Sequence, residues 1–133
     1  MASANAPRRH QLKFTVMAGP YGVCRFSPHA AIPEWALAGE FFSITSTPQE
    51  LSIVCDSGRI PAKVLAEHGW SCFKIEGPIP FDITGVLAAC IDPLAAAGIG
   101  IFAVSTFDTD YVLVKTAHLD RAKSALRAAG HEV

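Results

Sequence analysis

Two patterns of apolar and polar residues divide the chain into candidate elements. Short apolar runs rich in β-branched and aromatic residues, separated by turns with Pro, Gly, Asp or Ser, predict β-strands. Longer segments in which apolar residues return every three or four positions predict helices. The predicted strands are residues 12–17, 23–27, 41–45, 51–55, 70–75, 99–104 and 111–114, and residues 131–133 can add a terminal strand.

The strongest helical pattern lies in the second half of the chain. Between residues 82 and 97 the apolar positions follow a helical spacing that leaves one face to be buried. Asp82 is the predicted N-cap, and Gly98 is predicted to end the helix. Pro93 has no backbone N–H, so it is predicted to remove one interior hydrogen bond and to kink the helix.

Two further segments have helical spacing, and a third is too interrupted to form more than a turn. A helix is predicted over residues 119–129, and a short one over residues 60–68. Residues 28–39 contain two prolines and are predicted to be mostly a connector. The second half therefore reads strand, helix, strand, strand, helix, strand, which is the ferredoxin-like order.

This order predicts an α+β fold: a ferredoxin-like βαββαβ sandwich with antiparallel sheets and helices on one face. The first half is predicted to be a strand-rich variant of the same unit, although no exact sequence repeat is visible. We expect a disordered tail over residues 1–10, an atypical first unit over residues 11–68 and a second unit over residues 69–133.

Composition and charge narrow the function classes. Half of the residues are apolar and 17% are charged, which favours extensive burial and a homo-oligomer, most simply a dimer. The net charge of -1 and the scattered basic residues exclude a nucleic-acid partner. No apolar run approaches the length of about 18 residues that a membrane span needs, so we expect no membrane partner and a cytoplasmic location.

The side chains that most often carry catalysis or metals form no such pattern here. The four cysteines are far apart in apolar segments and are predicted to be buried free thiols. The five histidines form no HxxxH pair, and no Ser or Cys lies in a nucleophile motif. We therefore expect no metal, no cofactor and no enzymatic activity.

The stretch GPIPFDITGVL, at the start of the long predicted helix, is the first candidate site. A helix N-terminus presents unpaired N–H groups and a partial positive charge, so the amides of Thr84, Gly85 and Val86 could hold a carboxylate. Gly85 would let a ligand approach the backbone closely. The alternative is that Asp82 already caps these amides and Gly85 only permits helix packing.

The polar run STFDTDY is the second candidate site. Ser105, Thr106 and the following turn offer hydroxyls, carbonyls and carboxylates suited to an ammonium group, which only donates hydrogen bonds. The alternative is a solvated hairpin turn, because Asp and Thr are common turn residues. Asp108 is interpreted as a turn residue that does not contact a ligand.

Together with DPLAAAGI and FFSITSTPQELSIVC, these two motifs resemble the small tandem ACT-domain proteins. This group comprises bacterial amino-acid-binding regulators related to the ACT regions of aspartate kinases and to the animal cytosolic arginine sensors. The resemblance covers nearly all of residues 11–133. It implies two ACT units and a non-catalytic regulatory module that binds a free amino acid at an interface between ACT units.

The resemblance also implies where the ligand lies. In members of the family, the positions that match Thr106, Phe107 and Asp110 of this sequence line the ligand site. With the helix start and the strand end, the candidate site comprises Asp82, Ile83, Thr84, Gly85, Val86, Ser105, Thr106, Phe107 and Asp110. The other hypothesis is a structural or partner-binding module of the same fold with a degenerate site, because fold does not fix function.

Overall fold

A computed structural model describes residues 10–133, which contain seven strands and two α-helices. The strands are β1 (Phe14–Val16), β2 (Tyr21–Phe26), β3 (Ser43–Ser46), β4 (Leu51–Asp56), β5 (Ala66–Ile75), β6 (Ile101–Ser105) and β7 (Asp110–Lys115). The helices are α1 (Val86–Ala96) and α2 (Leu119–Ala128), and single 3-10 turns lie at Glu34–Ala36, Ser57–Arg59 and Thr116–His118. The predicted tail over residues 1–10 lies outside the described residues except for His10.

The described strands form one antiparallel sheet in the order β3-β4-β2-β5-β7-β6, and β1 also pairs with β5. The ten-residue strand β5 connects the two halves, because its beginning pairs with β2 and its remainder pairs with β7 and β1. The proposed boundary between residues 68 and 69 therefore lies inside a continuous strand, and the division into two units stays a proposal.

Alternation along the strands gives the sheet two apolar faces. Phe73 of β5 and Val112 of β7 are fully buried against α1 and α2, in a cluster that includes Cys90 and Leu94 of α1. Residues one position along point to the opposite face, where Leu113 packs with other buried residues. The predicted α+β fold and the ferredoxin-like order of the second half are confirmed.

The first half is strand-rich, as expected, and the segment over residues 28–39 is mostly connector. Its 3-10 turn Glu34–Ala36 places Ala36, which is fully buried, over Cys24 and Ile53 on the sheet. Between residues 10 and 65 the structure contains no α-helix. The α-helices of the described chain thus cover only the second half of the sheet.

The short helix predicted over residues 60–68 is wrong. Only Ser57–Arg59 forms a helical turn, and β5 already begins at Ala66. Pairing of Cys24 with Ala66 and of Val23 with Glu67 provides ladder hydrogen bonds that the local pattern cannot reveal. Gly69, predicted to stop the helix, instead has φ of +78° beside an irregularity in this pairing, a position that suits glycine.

Pro93 lies inside α1, and the C-terminal segment supplies the hydrogen bond that it cannot make. The carbonyl of Ala89, four residues earlier, accepts instead from Nε2 of His131 at 2.9 Å. Nδ1 of His131 accepts from the N–H of Leu12 at 3.0 Å, which fixes the proton on Nε2. The predicted terminal strand is reduced to one parallel bridge between Lys13 and Glu132.

The four cysteines are buried free thiols, as predicted. Burial raises the pKa of Cys55, Cys72 and Cys90 to about 12, and it also raises the pKa of Cys24. These thiols are therefore neutral at physiological pH and act as small apolar core residues. Neither helix of residues 10–133 has the length and apolar character needed to cross a membrane.

Candidate functional site

The fold brings the two sequence motifs together. The N–H of Ile79, in the loop before α1, donates to the carbonyl of Asp108 in the β6–β7 turn at 2.7 Å. Gly77 permits this close approach, because a Cβ there would lie 3.1 Å from the same carbonyl oxygen. The rings of Phe81 and Phe107 meet edge to face with centroids 4.9 Å apart. The loop and the turn thus form the two walls of one cleft.

The cleft has a volume of about 300 Å³, at the lower end of the range for small-molecule sites. Seven of the nine predicted site residues line it, and Asp82 and Thr84 do not. Sequence reasoning did not select five further lining residues. The lining consists of Ile83, Gly85, Val86, Ser105, Thr106, Phe107 and Asp110, together with Ile79, Pro80, Phe81, Leu87 and Thr109.

The N-terminus of α1 differs from the prediction, because Asp82 is not its cap. The helix begins at Val86 and the N-cap position is Gly85, whose φ of +81° is in the left-handed region that glycine tolerates. No side chain of the described residues caps this end. The first helical hydrogen bond runs from Ala89 to the carbonyl of Gly85 at 2.9 Å. The preceding amides, starting with Val86 beside the cleft, have no helical acceptor.

His10 supports the loop from behind and was missed by the sequence analysis. Its Nε2–H donates to the carbonyl of Thr84 at 2.7 Å. A Cβ on Gly85 would lie 3.7 Å from the same imidazole ring. No local sequence signal reveals this contact, since the two partners are 74 residues apart. Thr84 thus has a backbone contact behind the cleft and does not line it.

The threonine hydroxyls at the strand end are used by the protein itself. Oγ1 of Thr106 donates to the carbonyl of Thr109 at 2.9 Å, which closes the turn. Thr109 is 6% exposed, and its hydroxyl donates to the carbonyl of Ile75 at 2.6 Å. Thr106 therefore lines the cleft, but its proton is committed to the turn.

Asp110 is the first residue of β7 and faces the helical layer. It alternates with Val112 and Val114, which pack under the helices, and it pairs with Ser105 of β6. After burial, the Asp110 carboxylate is the next cause that raises the pKa of Cys90 in α1. The ion pair found among the described residues joins Lys115 to Glu67, so the half-buried Asp110 has no cationic partner there.

The chemistry of the cleft is simple. Asp110 is its charged lining residue, and the others are apolar side chains, hydroxyls and glycine. Within residues 10–133 no group of three His, Cys, Asp or Glu side chains could hold a metal ion. The cleft therefore has the start of α1 on one wall, the Asp110 carboxylate on the other and an apolar rim.

Comparisons with known proteins agree with this geometry. The ACT-domain profile matches residues 65–128, and a profile for an N-terminal domain matches residues 19–63. A crystal structure of an Agobacterium tumefaciens protein is 49% identical, covers 92% of each chain and superposes with a TM-score of 0.88. The chain therefore contains an ACT domain over residues 65–128, as the resemblance implied.

Two more distant similarities are to an arginine sensor and to an aspartate kinase. Subunit 1 of the human cytosolic arginine sensor for mTORC1 is 34% identical over 82 residues, which cover 56% of this chain and 25% of the sensor. The chain thus matches only a quarter of that protein's length. The Clostridium acetobutylicum aspartate kinase superposes with a TM-score of 0.69 at 11% identity, over 96% of this chain and 36% of the kinase, and shares the fold.

Proposed function

We propose that this ACT module binds a free amino acid in the cleft between the residue 79–87 segment and the β6–β7 turn, without catalysis. The observation that supports the proposal most strongly is the pairing of opposite charges across one cleft. The uncapped N-terminus of α1 lies on one wall and the Asp110 carboxylate on the other. An amino acid has the complementary arrangement, with a carboxylate and an ammonium on one carbon.

The ligand's carboxylate is assigned to the N-terminus of α1. Unpaired N–H groups and the helix dipole both favour an anion there, and Gly85 leaves the backbone accessible. The ammonium is assigned to Asp110, because a carboxylate forms the strongest hydrogen bonds with a cationic donor. Carbonyl oxygens at the strand end can accept the remaining ammonium protons.

The open rim supports a ligand site shared between ACT units. The side chains of Phe81, Ile83 and Phe107 are 74%, 45% and 80% exposed beside the cleft. Exposed apolar patches of this kind mark interaction surfaces in otherwise water-soluble folds. We assign the covering surface to a second copy of the chain, so that the amino acid is enclosed at an ACT–ACT interface in a homodimer.

The relatives support the sensing role and the cellular location. The human relative is named as a cytosolic arginine sensor, and the ACT family is regulatory. We extend amino-acid sensing and a cytoplasmic location to this chain. The exposed aromatic pair also favours the second hypothesis, a partner-binding module with a degenerate site, in which the rim contacts another protein and the cleft stays empty.

A thermal-shift screen against the free amino acids separates these two functions. A ligand present at 100 times its dissociation constant should stabilise the fold by about 2.7 kcal/mol, which is a clear increase in melting temperature. We expect at least one amino acid to produce this increase. A well-folded sample that responds to none of them would contradict the sensor function and leave the partner-binding module.

A further inference from the structure

From the charges and walls of this cleft we infer that its ligand is a neutral amino acid with an apolar side chain. The inference rests on the proposed function and adds the class of ligand to it. The evidence consists of three features of the lining: its single charge, its occupied threonine hydroxyls and its apolar walls.

The charged lining that this chain contributes to the cleft offers no partner for a second ionised group on the ligand. Asp110 is the charged residue that lines the cleft, and it is matched by the α-ammonium. An acidic ligand would place its second carboxylate in a cleft that holds no Lys, Arg or His. A basic ligand would bring two cations to one carboxylate. In both cases one charge would lose water without a partner, which is costly.

The hydroxyls of the lining offer little to a polar side chain. The protons of Thr106 and Thr109 are donated to backbone carbonyls at 2.9 and 2.6 Å. Ser105 is exposed at the strand end beside Asp110. A ligand side chain that needs hydrogen bonds would therefore lose contacts with water and gain few in return.

The walls beyond the backbone contacts are aliphatic and aromatic. Ile79 and Leu87 are partly buried against the core and close the inner part of the cleft. Phe81 and Phe107 form the outer wall with their edge-to-face contact. An apolar side chain placed between these walls leaves water and covers exposed rings at the same time.

The test is calorimetric titration of the full chain with a homologous series of unbranched neutral amino acids. Alanine, 2-aminobutyrate, norvaline and norleucine differ by one methylene each. We expect the affinity to rise about fourfold per methylene until the cleft is full. Lysine and glutamate, which resemble norleucine in length but carry a second charge, should bind at least tenfold more weakly than norleucine.

A pair of variants locates the effect in the cleft. Phe107→Ala should reduce the gain from alanine to norleucine, because it removes an exposed ring from the wall. Leu65→Ala is the matched control, since Leu65 is 70% exposed and does not line this cleft. An unchanged series in Phe107→Ala would overturn the inference.

The outcomes also separate this inference from the function on which it rests. If lysine, arginine or glutamate binds more tightly than norleucine, and Asp110→Asn weakens that binding, the cleft is an amino-acid site but the ligand class is wrong. If no amino acid binds to the folded protein, the proposed function fails and the ligand class fails with it.

Discussion

Replacing His131 with phenylalanine is expected to destabilise the protein by about 2–4 kcal/mol. The substitution keeps an aromatic ring, one atom larger than imidazole, that can retain the edge contact with Phe14, whose centroid lies 5.7 Å from that of His131. Both hydrogen bonds are lost, however. The N–H of Leu12 and the carbonyl of Ala89 are then left without partners, and each unpaired buried group costs about 1–3 kcal/mol, less where water can reach it.

A second substitution tests why this hydrogen bond exists. Pro93→Ala restores a backbone N–H that can donate to the carbonyl of Ala89 within α1. In that background His131→Phe leaves only the N–H of Leu12 unpaired. The cost should therefore fall by roughly one hydrogen bond, about 1–2 kcal/mol. Effects of Pro93→Ala on the unfolded chain cancel between the two arms of the cycle.

The assay is urea unfolding of the four proteins of this double-mutant cycle, followed by circular dichroism. Equal slopes against denaturant are required for the comparison. Costs of His131→Phe that agree within about 0.4 kcal/mol in the two backgrounds would refute the reasoning. His131 would then stabilise the protein by packing alone, and the carbonyl of Ala89 would not depend on it.

Three further predictions concern the buried thiols, the contact at Gly77 and the oligomeric state. The contribution of Cys55, Cys72 and Cys90 to the free energy of unfolding should be constant below pH 9 and fall above it by about 1.4 kcal/mol per pH unit for each thiol, because unfolded thiols ionise near 9.0 and folded ones only at about 12. Flat urea midpoints from pH 8 to 11 under reducing conditions would disprove this. Gly77→Ala should destabilise the protein by about 1–3 kcal/mol, because the new Cβ would press on the carbonyl of Asp108. Gly100→Ala is the control, with nothing within 4 Å of the new Cβ, and should change stability by about 0.5 kcal/mol or less. Equal urea midpoints for the two variants would contradict the tight packing at Gly77. Light scattering should give at least twice the chain mass of 14.1 kDa, and a monomer at every concentration, with and without ligand, would exclude the dimer.

The sequence was most informative where structure depends on neighbours along the chain. The apolar spacing in the second half predicted both helices and the order of helices and strands along the chain. This was possible because each element there has one buried face, which gives its apolar residues a regular spacing. The pairing of β1 with β5 and the extension of β5 back to Ala66 depend on partners far away in sequence. Local periodicity contains no information about such pairing, and the wrong helix over residues 60–68 is the result.

In the candidate site, too, the sequence revealed local features and missed those that depend on distant residues. The two motifs contain the residues that line the cleft, and the fold brings these residues together. The assignment of Asp82 as N-cap failed because residue type alone does not fix where a helix begins, and the left-handed Gly85 delays it to Val86. His10 could not be found from sequence, since its partner Thr84 is reached only after folding.

The most direct test of the central claim is calorimetric titration of two charge variants with the amino acid found by the thermal screen. Asp110→Asn removes the carboxylate that lines the cleft, and Asp108→Asn removes an exposed carboxylate two residues away that does not line it. Circular dichroism first confirms that both variants are folded.

We expect Asp110→Asn to weaken binding by about 1.5–3 kcal/mol, roughly ten- to a hundredfold, because a charge-assisted hydrogen bond to the ammonium is lost. Asp108→Asn should bind within about twofold of the parent protein, since surface charges outside the cleft are screened by water and salt. If Asp110→Asn also binds within twofold, Asp110 does not contact the ligand and the amino acid lies elsewhere.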